Sequence, residues 1–272
     1  MEQDLWIYVG WLAAAGIASG YAGGLFGIGG GILRVPIFLY LFPAFGIAPS
    51  LVMHMAVATS LALALPSSIS ASLMQWRAGN VDVPFLKLWL PALAVGVVIG
   101  VVASRFIEGE SLQAAFAIVI LIAAIHMLVS SDSFKLADRL AGWLRTFFAA
   151  FFGAASTLLG LTGGTFITPI LNAFDYPIHR AIAVSSVGGV LISTVAATGY
   201  IINGLDVSDL PDHAIGYVDG IAFLVMAPIV MAAAPFGVRL GNRLNKHALK
   251  RIFGTFLVVV ALDMLNGVWH VV

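Results

Sequence analysis

The chain has 272 residues, 61% of them hydrophobic and only 10% charged, with 13 basic residues balanced by 13 acidic ones. So little charge cannot cover a soluble domain of this length, and zero formal net charge argues against a nucleic-acid or acidic-surface partner. Cysteine is absent, which excludes disulfides and thiolate metal sites.

The chain opens on Met1-Glu2-Gln3-Asp4 and then turns apolar, without the basic start of a cleaved signal, so a retained first span is predicted. Apolar segments follow at 5–26, 31–42, 50–74, 84–105, 112–130, 141–161, 164–174, 180–203, 214–237 and 249–270. A spanning helix needs about 20 mostly apolar residues, and all but the second and seventh segments approach that length. Each short segment follows a glycine cluster, Gly27-Ile28-Gly29-Gly30-Gly31 or Gly160-Leu161-Thr162-Gly163-Gly164. Interrupted backbone inside a bilayer is tolerated only where protein or a water-filled cavity surrounds it. Glycine-broken or re-entrant helices are therefore predicted at both clusters. For Gly16, Gly20 and Gly24, close helix packing and a role at the site are both open.

The two clusters belong to a longer internal repeat. Gly20, Gly27, Gly30, Gly31 and Pro36 match Gly153, Gly160, Gly163, Gly164 and Pro169 at one constant offset. Ser60, Ser67, Ser68 and Ser72 match Ser186, Ser193, Thr194 and Thr198; Pro91 and Gly100 match Pro228 and Gly237; and Leu112, Phe116, Met127 and Leu128 match Leu249, Phe253, Met264 and Leu265. Basic residues at Arg77, Lys87, Lys135, Arg139, Arg145, Arg180, Arg239, Arg243, Lys246, Lys250 and Arg251 fall on one side of the membrane, the cytoplasmic side by the positive-inside rule. Both termini and the acidic loops are then external. The expected fold is an all-α integral membrane protein of about 8–10 membrane segments, with two inverted-topology repeats, 1–130 and 141–272, around a cytoplasmic linker at 131–140. Asp219 is expected near the external surface.

Paired broken helices in inverted repeats are the sequence pointer to a transporter site. A helix beginning at mid-membrane offers unpaired backbone N–H groups and the positive end of its dipole. Two such ends facing one cavity make an anion site out of main chain. The expected ligands are Gly29, Gly30, Gly31, Thr162, Gly163, Gly164 and Thr165, with the hydroxyls of Thr59, Ser60, Ser185 and Ser186. Arg34 stands at bilayer depth, where a cation costs at least about 3 kcal/mol, and is read as a bidentate clamp on the anion. Snorkelling or pairing with a carboxylate is its structural alternative. His54 and Asp263 are candidate proton-coupling groups. No metal site, cofactor or enzyme motif is predicted, and no ATP-binding signature appears. The competing readings are an anion channel on the same site, a divalent-metal permease using His54, His126 and Asp263, and an intramembrane enzyme or scaffold.

At the glycine breaks with Pro36 and Pro169, and at Trp76-Arg77-Ala78-Gly79-Asn80-Val81-Asp82, the chain resembles the sulfite exporter TauE/SafE family over both halves. The resemblance implies a multi-pass transporter of the bacterial inner membrane for sulfite, an organosulfonate such as sulfoacetate, or a related sulfur-containing anion. Thr162 stands where the first repeat has Gly29, so the second half-site is expected to offer more hydroxyl and less bare backbone. Monomer and homodimer both remain open.

Overall fold

The computed structural model describes residues 2–26, 30–129, 142–241 and 246–269. Within them lie α1 (Glu2–Phe26), α2 (Gly31–Ala44), α3 (Pro49–Arg77), α4 (Val83–Ser104), α5 (Gly109–Val129), α6 (Gly142–Leu159), α7 (Gly163–Ala173), α8 (Ile178–Gly204), α9 (Gly220–Gly241) and α10 (Lys246–Trp269). A two-stranded hairpin, β1 (Ala214–Ile215) and β2 (Val218–Asp219), precedes α9. Five of the described helices are long and apolar enough to cross a membrane. Val95, Val98, Ile99 and Val102 on α4 and Ile118, Ile122 and Ile125 on α5 point outward. Outward apolar side chains on helices of spanning length make this an all-α integral membrane protein.

The short segments are short helices, as their composition dictates. The predicted span at 214–237 is corrected: its first six positions form the hairpin, turning at Gly216 with φ +55°, and α9 begins only at Gly220. The linker at 131–140 lies outside the described residues.

Helix directions follow from contacts at both ends of each pair. Gly16 lies against Met226 and Ile229, and Gly24 against Ala234, so α1 and α9 run parallel. Gly96 lies against Ala150 and Gly100 against Ala154, so α4 and α6 run parallel. Gln113 Nε2 donates to the Met264 carbonyl at 3.0 Å while Gly254 meets Leu128, so α5 and α10 are antiparallel. The long α3 packs along α8 at the centre of the bundle.

Glycine sets how closely these pairs approach. A methyl group at Gly24 would lie 2.1 Å from the Ala234 carbonyl oxygen, and one at Gly237 would lie 1.9 Å from that of Tyr21. In the other parallel pair, a methyl at Gly96 would lie 1.9 Å from the Ala150 oxygen and one at Gly153 2.4 Å from that of Leu93. Backbones in such contact gain dispersion energy that side chains would prevent. Packing therefore decides the open question for Gly16, Gly20 and Gly24.

The contacts also recur between the halves. Gly20 meets Val230 as Gly153 meets Leu93, and Gly237 meets Tyr21 as Gly100 meets Ala154. Exchanging α1–α5 with α6–α10 turns the α1–α9 pair into the α6–α4 pair and α2–α3 into α7–α8.

The bundle has two chemically distinct ends. Glu108, Glu110, Asp206, Asp209 and Asp212 gather at one, and Arg77, Lys87, Arg145, Arg180 and Arg239 at the other. Arg105, at the acidic end, donates from Nε to Asn203 Oδ1 at 2.6 Å.

Candidate functional site

The breaks before α2 and α7 meet. Gly30 takes φ +76° as the N-cap of α2, a left-handed conformation that glycine adopts without strain. Gly160 does the same with φ +66° after α6. A methyl at Gly31 would lie 2.8 Å from the Gly160 carbonyl oxygen and 3.4 Å from Leu161 Cα. One at Gly160 would lie 3.0 Å from Val57 Cα and from Val35 Cγ2. The two interruptions thus cross in direct backbone contact against the middle of α3.

From this crossing the half-helices diverge. α2 runs to the acidic end, where the Phe45 ring packs on Tyr8 with centroids 4.6 Å apart. α7 runs to the basic end, where Phe174 packs on Phe148 at 5.9 Å. Just beyond it, Tyr176 donates to Asp82 Oδ2 at 2.8 Å, and Arg180 lies 3.5 Å from the same oxygen. Burial, reinforced by the bond to Asp82, raises the Tyr176 phenol above its ordinary pKa and keeps it a donor at neutral pH. With opposite directions and adjacent starts, α2 and α7 aim their positive dipole ends at one another, about half an elementary charge each.

Arg34 sits in the first turn of α2 and is only 1% exposed. Helical side chains lean toward the N-terminus, which returns this guanidinium to its own break: Nη2 lies 2.9 Å from where a Gly30 methyl would stand. Its Nη1 donates to the Ser60 carbonyl at 3.0 Å, and Ser60 Oγ donates to the Gly160 carbonyl at 2.9 Å. One residue of α3 therefore ties the cation of the first half to the break of the second. Snorkelling is ruled out for Arg34 in this conformation, because the head group is buried. Ser60 takes one of its five N–H donors.

The structure brings Gly30, Gly31, Arg34, Ser60, Thr162 and Gly163 to the crossing. Thr162 is buried as the N-cap of α7. Gly163 abuts α8, where a methyl would lie 2.7 Å from the Ser185 carbonyl oxygen. Thr165 closes the first turn of α7 through its N–H to the Thr162 carbonyl at 3.1 Å, with the half-buried Gly164 between them. Gly29 lies outside the described residues, as does the side chain of His126.

Other expected residues stand apart. Ser186 bonds back to the Ile182 carbonyl of its own helix at 2.5 Å. His54 lies at the acidic end, its Nε2 3.2 Å from the Ser104 carbonyl and its ring stacked on Tyr217. Asp263 accepts from Tyr40 on an exposed flank between α10 and α2. His54 and Asp263 therefore share no ligand shell, and the described residues hold no cluster of three or more His, Asp or Glu side chains fit for a metal ion.

Asp219 was expected near the external surface. It lies at the acidic end, next to the part-exposed His213, and is itself fully buried there. Its Oδ2 accepts from Tyr8 at 2.6 Å and lies 3.2 Å from His213 Nε2, and its Oδ1 accepts from Ala222 N–H at 2.8 Å. Thr59, one of the expected hydroxyls, accepts the Asp219 backbone N–H on Oγ1 at 3.0 Å. Asp-Gly ahead of an apolar run is a helix N-cap signal, and it was the available clue.

Comparison with known proteins adds a family. A family model described as "Sulfite exporter TauE/SafE" matches residues 12–264. The chain is 29% identical over 251 residues to a "Probable membrane transporter protein" of Haemophilus influenzae, covering 92% of this chain and 95% of that one. A relative from Methanocaldococcus jannaschii with the same description is 29% identical over 282 residues, covering 97% and 98%. One from Bacillus subtilis is 20% identical over 274 residues, covering 93% and 96%. No solved structure matches the chain.

Proposed function

Because the chain belongs to the sulfite exporter TauE/SafE family, we propose that this multi-pass membrane transporter carries sulfite or a small organosulfonate such as sulfoacetate. Transport is secondary and runs by alternating access, in the export direction. The reading rests on one observation: Gly31 and Gly160 touch, so two half-helices begin at one buried point with their dipoles opposed. Two helix N-termini, about half a positive charge each, favour an anion between them, and the planar guanidinium of Arg34 beside them suits an oxyanion. Gly30, Gly31, Thr162, Gly163, Gly164 and Thr165 supply backbone to the anion. Arg34 supplies the charge, and the hydroxyl of Ser60 turns from Gly160 to the ligand.

The recurrence of contacts between the halves supports an inverted repeat. Rocking of the α1–α9 pair with α2 against the α4–α6 pair with α7 would open the crossing alternately to each end. The basic end is cytoplasmic by the positive-inside rule, and both termini are external, in a bacterial inner membrane.

Purified protein in proteoliposomes loaded with unlabelled sulfite or sulfoacetate should take up labelled substrate by exchange. Uptake that saturates and needs internal substrate supports the reading. Fast, non-saturating flux without exchange would identify a channel on the same site, and no flux of either anion would end the proposal.

A further inference from the structure

The acidic end contains a second buried polar cluster that anion binding does not use. We propose that the Asp219–His213 pair is a proton-binding site, and that the proton is the ion whose movement is coupled to the anion. This rests on the transport reading above.

Asp219 is fully buried, whereas His213 is 36% exposed. The imidazole lines a cavity of about 450 Å³ at the acidic end, together with Tyr8, Phe45, Asp209 and Leu210. Water therefore reaches the histidine, and the histidine reaches a buried acceptor 3.2 Å away. In the transfer step the Nε2–H bond of an imidazolium breaks and an Oδ2–H bond forms. The imidazole and the carboxyl group are both left neutral, and the proton drawn from the cavity is the only species consumed.

That transfer changes what Asp219 can hold. The ionised carboxylate accepts from Tyr8 of α1 and Ala222 of α9 while facing His213. A protonated Oδ2 becomes a donor and gives up part of this acceptor capacity, loosening the junction of α1 with the hairpin and α9. The effect has a short path to the crossing. The Asp219 backbone N–H bonds Thr59, and the next residue, Ser60, holds both Arg34 and Gly160. The titratable groups around the pair are Tyr8 from α1, Asp209 on the cavity wall and Asp212 beside His213. On the α3 side is His54, stacked on Tyr217 of the hairpin turn.

A merely structural Asp219 would be an N-cap and nothing more. Asp219→Asn separates the two roles, since the amide oxygen can still cap Ala222 and the amide nitrogen can donate to the Tyr8 hydroxyl, but the side chain cannot titrate. His213→Gln keeps a hydrogen-bonding side chain and removes the entry group. Both variants and wild type would be compared in proteoliposomes with sulfoacetate and with sulfite, measuring equal-pH exchange and net flux under an imposed pH gradient. Wild type should show both activities, with the gradient accelerating net flux. The variants should keep exchange while gradient-driven flux falls at least about tenfold, within the usual range of coupling between sites. If Asp219→Asn abolishes exchange as well, His213→Gln alone decides. Wild-type net flux indifferent to the gradient, or gradient-driven flux surviving in His213→Gln, overturns the proton site and leaves the transporter standing. Wild type without exchange of either anion overturns the transport reading itself.

Discussion

At Gly31 the chain has no room for a side chain, because the Gly160 carbonyl oxygen stands 2.8 Å from where a methyl would be. Gly31→Ala should therefore push the two breaks apart, costing about 1–3 kcal/mol as overpacking does and reducing flux. Gly10→Ala on α1 is the control, with nothing within 4 Å of the added carbon, and should leave both melting temperature and flux unchanged. For Arg34, replacement by glutamine removes a charge-assisted contact worth about 1.5–3 kcal/mol. Anion affinity by thermal shift or calorimetry should then weaken on the order of 10- to 100-fold; unchanged affinity would remove Arg34 from the site. Gly30, Gly31 and Arg34 were legible in the sequence because a glycine run and a cation in an apolar segment both violate local expectation. The buried contacts of Asp219 were not, since the four apolar or aromatic neighbours in Ala214-Ile215-Gly216-Tyr217-Val218 absorbed its hairpin into a predicted span. Nor could the sequence reveal that Thr59 faces Asp219, because that contact joins residues 160 positions apart.

Among the elements, the two parallel pairs α1–α9 and α4–α6 depend on the same device. Glycine on each helix admits the backbone of the other, at Gly24 and Gly237 in one pair and Gly96 and Gly153 in the other. Gly237→Val and Gly96→Val should each lower the melting temperature in detergent, to similar extents. A large effect in one pair with none in the other would contradict their equivalence. Most helix boundaries were readable to within a few residues from apolar run length and from the glycine clusters. Close packing was only half readable, since glycines three or four apart suit both a helix contact and a ligand approach. The partner helix decides between these, and sequence periodicity does not name it.

For the molecule as a whole, the separation of acidic and basic ends carries the topology. The chain has no cysteine, so single cysteines at Asp209 and at Arg77 can report sidedness without background. A membrane-impermeant thiol reagent should label Asp209→Cys from outside intact cells and Arg77→Cys only after permeabilisation. The reverse pattern would invert the assignment of external and cytoplasmic ends. Collinear glycines, prolines and hydroxyls in the two halves were visible in the sequence, but the meeting of the two breaks emerges only when α3 supplies Ser60 to both. The most direct test is anomalous diffraction from crystals of the protein soaked in selenite, the heavy-atom counterpart of sulfite. An anion seated on main chain predicts a selenium peak within hydrogen-bonding reach of the first turns of α2 and α7 and of Arg34, lost in Arg34→Gln. A peak confined to the acidic end beside Arg105, or none at the crossing with the wild-type protein saturated, would contradict it.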